Sequence, residues 1–344
     1  MADENNSIIR VENVSMRFRM ANDRVTSIKE MVTKMLKRQV EYKDFWALKN
    51  VSFDVKRGVV IGLIGRNGAG KSTTMNMLTG FIEQTEGEII IDGYNMLKKP
   101  KKAKKEIGYM PEGVPLYTDL TVKEFVTHMA EIKKVDRKTR KEEVEKIIEK
   151  TGLKDVEKKL IRNLSRGYKQ RTGMAGALVG APKILILDEP TVGLDPKQIT
   201  EIRNLIKELG KTHTVILSSH ILSEVSQICN KVIIINKGKL VAIDTPENLE
   251  NKVLNKNCIY VTVEDHEDKM KDMKDKIEGA QKFELIEELE DGTKQYMVES
   301  KENVDLRKVL FTELAKENIT IFEMKKADST LEDAFMKIIE GGKN

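Results

Sequence analysis

One short stretch constrains this chain more than any other: Gly65-Arg66-Asn67-Gly68-Ala69-Gly70-Lys71-Ser72. It follows an apolar run, Val59 to Ile64, and opens a segment with helical character from about Lys71 to Thr79. A glycine, four residues, then Gly-Lys-Ser is the pattern of a phosphate-cradling loop between a buried strand and a helix. Glycines let the backbone amides turn inward around phosphates, and the helix N-terminus adds favourable partial charge. Lys71 is then placed to reach the β- and γ-phosphates, and the Ser72 hydroxyl to ligate Mg²⁺. Gly65, Arg66, Asn67, Gly68, Ala69, Gly70 and Thr73 are candidate nucleotide contacts beside them.

A second segment supplies what the first lacks. Ile184-Leu185-Ile186-Leu187 reads as a buried strand and delivers Asp188-Glu189-Pro190 at its carboxyl end, where ligands of open α/β sheets bind. Asp188 is a candidate Mg²⁺ ligand, and Glu189 is placed to orient and deprotonate an attacking water. The two segments together specify a nucleoside triphosphatase.

The remaining pattern fits that reading. Strand-like segments at 8–18, 46–56, 89–91, 215–217 and 232–235 alternate with helical ones, including 122–159 and Ile199–Leu209. Short apolar strands alternating with helices imply an α/β fold with a mixed, mostly parallel sheet. Asp92-Gly93 and Asn236-Lys237-Gly238-Lys239 read as tight turns. Composition changes near Thr245-Pro246, so we expect a first domain at 1–245 and a small α+β domain at 246–344. Within the first, residues about 112–180 form a helical subdomain. Residues 20–45 form an inserted amphipathic segment, with Val25, Ile28, Val32 and Met35 on one face. Beyond 245 the order strand (258–264), helix (266–279), strands (283–289, 293–300), helix (302–317), strand (319–325), helix (329–340) fits a ferredoxin-like unit with no catalytic constellation.

Bulk properties narrow the setting. A net charge of +5 is small against 60 basic and 55 acidic side chains, which argues against a dedicated nucleic-acid binder. Cys229 and Cys258 form no spaced metal motif and read as thiols in a reducing compartment. No run of about 18 apolar residues is present, and the polar, acidic start MADENNSIIR is unlike a signal peptide. The expected location is the cytoplasm.

The stretch before the acidic pair brings in a family. Leu164-Ser165-Arg166-Gly167-Tyr168-Lys169-Gln170-Arg171 resembles the signature of ATP-binding-cassette (ABC) ATPases in order and spacing. Thr191-Val192-Gly193-Leu194-Asp195 is similar to their D-loop, and Ser218-Ser219-His220 to their switch histidine. The resemblance covers roughly residues 8–245. It implies ATP and Mg²⁺ as cofactors, and two subunits facing head to tail with each ATP between them. Ser165 and Gly167 would donate to the γ-phosphate held by the opposite phosphate loop. Asp195 would link the two sites, and His220 would sense the γ-phosphate. The glycine at position 167 suits close approach of backbone to phosphate.

Some positions depart from the family pattern. Arg166 and Tyr168 replace the usual glycine and glutamine of the signature, and Glu112 stands where a glutamine is usual. A carboxylate there can still ligate Mg²⁺. Val60 replaces a common glutamate, with no meaning attached. For the ring that stacks on adenine, Phe18 matches the family position best, with Tyr42, Phe45 and Trp46 as competitors.

Two finer resemblances concern the transporter. The 20–45 insertion is similar to the amphipathic helix of polysaccharide and teichoic-acid exporter ATPases. The stretch 111–117, the tyrosine in the signature and Ser329–Phe335 look like general ABC-2 exporters. They imply a separate ABC-2-type membrane permease, a second ATPase subunit, and a peripheral position at the cytoplasmic face of the membrane. The lysine run Lys98, Lys99, Lys101, Lys102, Lys104 and Lys105 is a solvated surface or a site of attraction to anionic lipid. The rival class is a soluble ABC ATPase acting on ribosomes or DNA. Those carry two cassettes or a coiled-coil insertion, and this chain has neither.

Overall fold

The computed structural model describes residues 7–21, 42–253, 258–264, 270, 273–289, 292–300, 306–326 and 335–336. The chain divides into two compact units, Met1–Thr245 and Pro246–Asn344.

The first unit begins with a hairpin, β1 (Ser7–Ala21) against β2 (Tyr42–Lys56). This corrects the expected insertion at 20–45: Met20 and Ala21 pair with Lys43 and Tyr42, so both ends of that segment are strand. Aromatic and polar residues that fit a pleated surface extend the ladder, with Phe18 opposite Phe45 and Arg17 3.2 Å from Asp44. The expected helix at 22–41 lies outside the described residues. After β3 (Val60–Ile64) comes helix α1 (Lys71–Leu78), then β4 (Glu86–Ile91) and β5 (Tyr94–Asn95), joined by a two-residue turn with Asp92 and Gly93 both at positive φ. Positive φ at both central residues is what such a hairpin needs. β1, β2, β4 and β5 form one sheet.

The second sheet carries the chemistry. Its members are β3, β6 (Ile107–Met110), β7 (Ile184–Leu187), β8 (Thr214–Ser219), β9 (Lys231–Asn236) and β10 (Lys239–Asp244), in the order β10-β9-β3-β8-β7-β6. All neighbours are parallel except the β9–β10 hairpin. Parallel neighbours put the loops that follow β3, β7 and β8 at the same edge. That edge is where the phosphate loop, the acidic pair and His220 emerge. Ile61, Leu63, Ile186, Ile216 and Ile233 of this sheet, Met75 and Leu78 of α1, and Ile9, Val55 and Ile91 of the other sheet pack in one core. At about 25 cal/mol per Å² of apolar area, burying such side chains contributes on the order of 1.5–3 kcal/mol each, which holds the functional edge rigid.

Helix α2 (Pro100–Lys105) carries Lys101, Lys102, Lys104 and Lys105 of the lysine run, with Lys98 and Lys99 just before it, and buries only Ala103. The expected helical stretch at 122–159 is broken into α3 (Val122–Ile132) and α4 (Arg137–Lys150). Lys134 takes φ 57, and the Asp136 carboxylate accepts from the Lys138 amide at 2.8 Å, so local capping starts a second helix. Then follow α5 (Arg166–Leu178), α6 (Pro196–Gly210) and α7 (Leu222–Ile228). Among the described residues no helix is long and apolar enough to cross a membrane.

The second unit opens with α8 (Pro246–Val253) and has four antiparallel strands: β11 (Cys258–Val263), β12 (Ala280–Glu288), β13 (Lys294–Ser300) and β14 (Ile321–Lys326). Their order is β12-β13-β11-β14. With α9 (Met273–Lys276) and α10 (Arg307–Lys316) between strands, this is the ferredoxin-like order. Val261, Tyr296 and Val298 pack with Met273, Leu310 and Leu314. The helices expected at 266–279 and 329–340 lie partly or mostly outside the described residues. Cys229 and Cys258 are buried and form no disulfide, and burial pushes the Cys229 thiol above its ordinary pKa.

Candidate functional site

The phosphate loop is closed by its glycines. A Cβ on Gly65 would stand 2.4 Å from the Ile235 carbonyl oxygen and 2.9 Å from Ala69 Cβ, so a side chain there has no room. Gly70 caps α1 at φ 114, a conformation that L side chains rarely adopt, with Leu48 Cδ2 2.7 Å from where its Cβ would be. The Gly238 amide donates to Ala69 O at 2.9 Å and ties the loop to the β9–β10 turn. Lys71 is buried, and its Nζ donates to Gly65 O at 2.8 Å across the loop. The α1 N-terminus has no side-chain cap. Its free amides and Lys71 make an anion cradle.

The acidic pair is held by β8. Ser218 Oγ donates to Asp188 Oδ1 at 2.5 Å and accepts from the Glu189 amide at 2.9 Å. Both carboxylates are largely buried. Glu189 leaves β7 in the left-handed region, φ 48, a rare conformation for a residue with a side chain and one that collects at functional sites. Its Oε2 meets His220 Nδ1 at 2.8 Å. With its proton on Nδ1, the imidazole donates to the carboxylate and leaves Nε2 for another partner. On β6, burial and then the Asp188 charge push the Tyr109 phenol above its ordinary pKa.

These groups face one cavity of about 470 Å³. Asn67, Gly68, Gly70, Lys71, Ser72 and Thr73 line it from the loop, Glu112, Glu189 and His220 from across, and Phe18, Phe45 and Ala47 from the β1–β2 hairpin. Gly65, Arg66, Ala69 and Asp188 do not line it, although they belong to the same loop and acidic pair. Phe18 and Phe45, two of the four rings weighed for adenine, both line it, whereas Tyr42 and Trp46 do not; Ala47 is the lining residue that the sequence did not single out. The period-2 alternation of β2 is the signal that would place Ala47 on the same face as Phe45. Hard oxygens of Ser72, Asp188 and Glu112 suit Mg²⁺, which binds through one or two carboxylates plus substrate phosphates. Among the described residues no group of three or more His, Cys, Asp or Glu is placed to hold a metal ion by itself.

Ser165, Gly167 and Asp195 stand apart from this cavity. Ser165 is the N-cap of α5, exposed, with no capping bond from its side chain. A Cβ on Gly167 would lie 3.0 Å from Gln198 Cδ, and Arg166 Nη1 donates to Gly193 O at 3.3 Å. The Asp195 carboxylate accepts from the Gln198 amide at 2.9 Å and caps α6. Tyr168 donates to Asp155 Oδ2 at 2.7 Å, with the Arg171 guanidinium over its ring, so it anchors α5 within the chain.

The chain is similar to known proteins in sequence and in fold. The family model described as ABC transporter matches residues 48–192. The bacitracin transport ATP-binding protein BcrA of Bacillus licheniformis is 36% identical over 307 residues, 86% of this chain and 93% of its own length. That match is longer than the first unit, so it reaches into the second. The linearmycin resistance ATP-binding protein LnrL of Bacillus subtilis (strain 168) is 36% identical, covering 63% of this chain and 70% of its own. Among solved structures, cbiO1 of Clostridium perfringens, part of the ABC transporter complex cbiONQ, aligns with TM-score 0.58 and 28% identity over 71% of this chain and 90% of its own. A loop, an acidic pair and a histidine brought to one sheet edge, together with a near full-length relative, lead to one conclusion: the chain belongs to the ABC transporter family, as one of its ATP-binding, ATP-hydrolysing subunits.

Proposed function

We propose that this chain is the motor of an ABC-2-type exporter, peripheral at the cytoplasmic face of the membrane, where it drives a separate permease. The observation that carries the reading is the convergence of Lys71, Ser72, Glu112, Glu189 and His220 on one cavity with two exposed phenylalanines at its side. Lys71 and the loop amides bind the phosphates, and Phe18 with Phe45 flanks the adenine. Ser72, Asp188 and Glu112 would hold Mg²⁺, which would neutralise phosphate charge. Glu189 takes the proton of the attacking water as its oxygen bonds to the γ-phosphorus and the bridging bond to the β-phosphate breaks. His220, already on Glu189, orients that carboxylate and contacts the γ-phosphate.

The bare N-terminus of α5 supports a second copy as partner. Ser165 is exposed and its hydroxyl makes no capping bond in its own chain, while Gly167 behind it is buried in the first turn; helix N-termini favour phosphate. Two copies in head-to-tail array would bring each α5 N-terminus to the other's cavity, with Asp195 at the junction. The names of BcrA and LnrL, transport and resistance proteins, support export over action on ribosomes or DNA.

Glu189→Gln tests the reading. It keeps ATP binding, lowers hydrolysis by about 10²-fold or more, and traps an ATP-dependent dimer visible by light scattering. A variant with undiminished turnover removes Glu189 as the base; one that stays monomeric in saturating Mg·ATP, with its permease present, removes the shared site.

A further inference from the structure

Beyond the cavity, one buried carboxylate has no place in the chemistry so far. Glu224, in the first turn of α7, is 5% exposed, and its Oε2 accepts from Thr191 Oγ1 at 2.5 Å. Thr191 is 3% exposed. Among the described residues the Glu224 carboxylate has no cationic partner and no hydrogen bond besides the one from Thr191. A carboxylate costs free energy to bury, and a leucine of similar size would pack this position without that cost. The residue therefore specifies a geometry.

The geometry concerns two segments. One runs from Asp188 through Glu189 and Thr191 to Asp195; the other runs from Ser218 through His220 to Glu224. Three side-chain contacts rung them together in order: Ser218 to Asp188, His220 to Glu189, and Glu224 to Thr191. The first two touch the acidic pair itself. The third lies outside the cavity and holds the start of the loop 190–195. The far end of that loop is held by the Asp195 cap on α6. The loop is thus pinned at both ends, and Glu224 is the pin that also belongs to the helix following His220.

We infer that Glu224 is a positioning residue for hydrolysis: its hydrogen bond from Thr191 fixes the loop between Glu189 and Asp195 against the segment carrying His220. This rests on the ATPase reading above. Glu224 itself touches no nucleotide. Its effect runs through the alignment of Glu189 and of the loop toward the second copy.

The test uses the full chain and compares Thr191→Val, Thr191→Ser, Glu224→Gln and Glu224→Ala in steady-state Mg-ATPase and fluorescent-nucleotide binding. Valine matches threonine in shape but cannot donate, so Thr191→Val should lower kcat by about 10-fold or more, the scale of misplacing a catalytic group. KM and nucleotide affinity should stay within about twofold, since nothing in the cradle is touched. Thr191→Ser, which keeps the donor, should restore most of kcat. Glu224→Gln, whose amide oxygen still accepts, should fall between wild type and Glu224→Ala. The double variant Thr191→Val with Glu224→Ala should be no slower than the slower single, because both remove one interaction.

Wild-type kcat in Thr191→Val, or failure of serine to rescue it, overturns the proposal. So does a kcat loss that only tracks the folded fraction by circular dichroism, as a merely structural role would give. Losses that multiply in the double variant overturn it as well. If Glu189→Gln is also fully active, the ATPase reading has failed; if that variant is dead while Thr191→Val is normal, only the role of Glu224 has.

Discussion

The cavity at the sheet edge and the α5 surface have opposite characters. At the cavity, the candidate catalytic groups are bound within the chain: Lys71 to Gly65, Asp188 to Ser218, Glu189 to His220. At the α5 surface, Ser165 is exposed and its hydroxyl caps nothing. Preorganised polar groups in a partly buried site need little rearrangement to act on substrate. An uncapped helix N-terminus, by contrast, is an unfilled anion site. On the function proposed above, the first region is one half of an active centre and the second is the half offered to a second copy.

The strongest attempt to break that contrast is Ser165→Ala. Losing one donor to developing phosphate charge costs about 10²-fold in hydrolysis, while nucleotide affinity of the single chain stays unchanged, because the cavity is untouched. Weakened binding in the isolated chain would place Ser165 at its own cavity after all. Mixing Ser165→Ala with Glu189→Gln sharpens the point. A mixed dimer pairs an intact cavity with an intact α5 N-terminus at one of its two sites. With random pairing, half the dimers are mixed, so activity returns to about a quarter of wild type. No recovery would argue that each chain works alone.

Smaller effects follow within the cavity. Lys71→Ala removes a charge-assisted contact and weakens nucleotide binding by about 1.5–3 kcal/mol, measurable by calorimetry. Phe18→Ala and Phe45→Ala should each weaken adenine nucleotides by about 1 kcal/mol or more, with inorganic triphosphate unaffected. If only one ring matters, the pair across β1 and β2 is reduced to a single platform.

The smallest effect concerns the scaffold that both regions share. Asp92 lies in the β4–β5 turn and accepts from Lys183 at 2.5 Å and from Arg57. Burial raises its carboxyl pKa, but those hydrogen bonds outweigh burial and hold it below its ordinary value. A depressed folded pKa means that this stabilisation is present above the unfolded carboxylate range and is lost as pH falls through the folded value. Asp92→Asn should therefore lower Tm at neutral pH, by about 1 kcal/mol of stability after solvent screening, and match wild type in acid. A nucleotide affinity that moves with it would tie the scaffold to the cavity.

Much of this was legible in the residues. Gly65 to Ser72 and Ile184 to Glu189 place a phosphate cradle and an acidic pair on strands because the backbone demands are local: glycine where a Cβ collides, four apolar residues where a strand is buried. The ends of the 20–45 segment were misread, since Tyr42 to Phe45 fit a hairpin only once β1 is there to pair with them. The same pairing decides between the candidate rings, since it sets Phe45 opposite Phe18 at the cavity. Glu224 carried no local signal at all, because its meaning depends on Thr191, 33 positions away.

Sequence by itself determined the candidates for phosphate binding, metal ligation and proton transfer, because those duties follow from side-chain type and short spacing. Tertiary structure alone decided which of them meet. The parallel order β3-β8-β7 brings three distant loops to one edge, while the chain's own packing leaves Ser165 facing outward. Non-local pairing sets those distances, and no short window of residues encodes it.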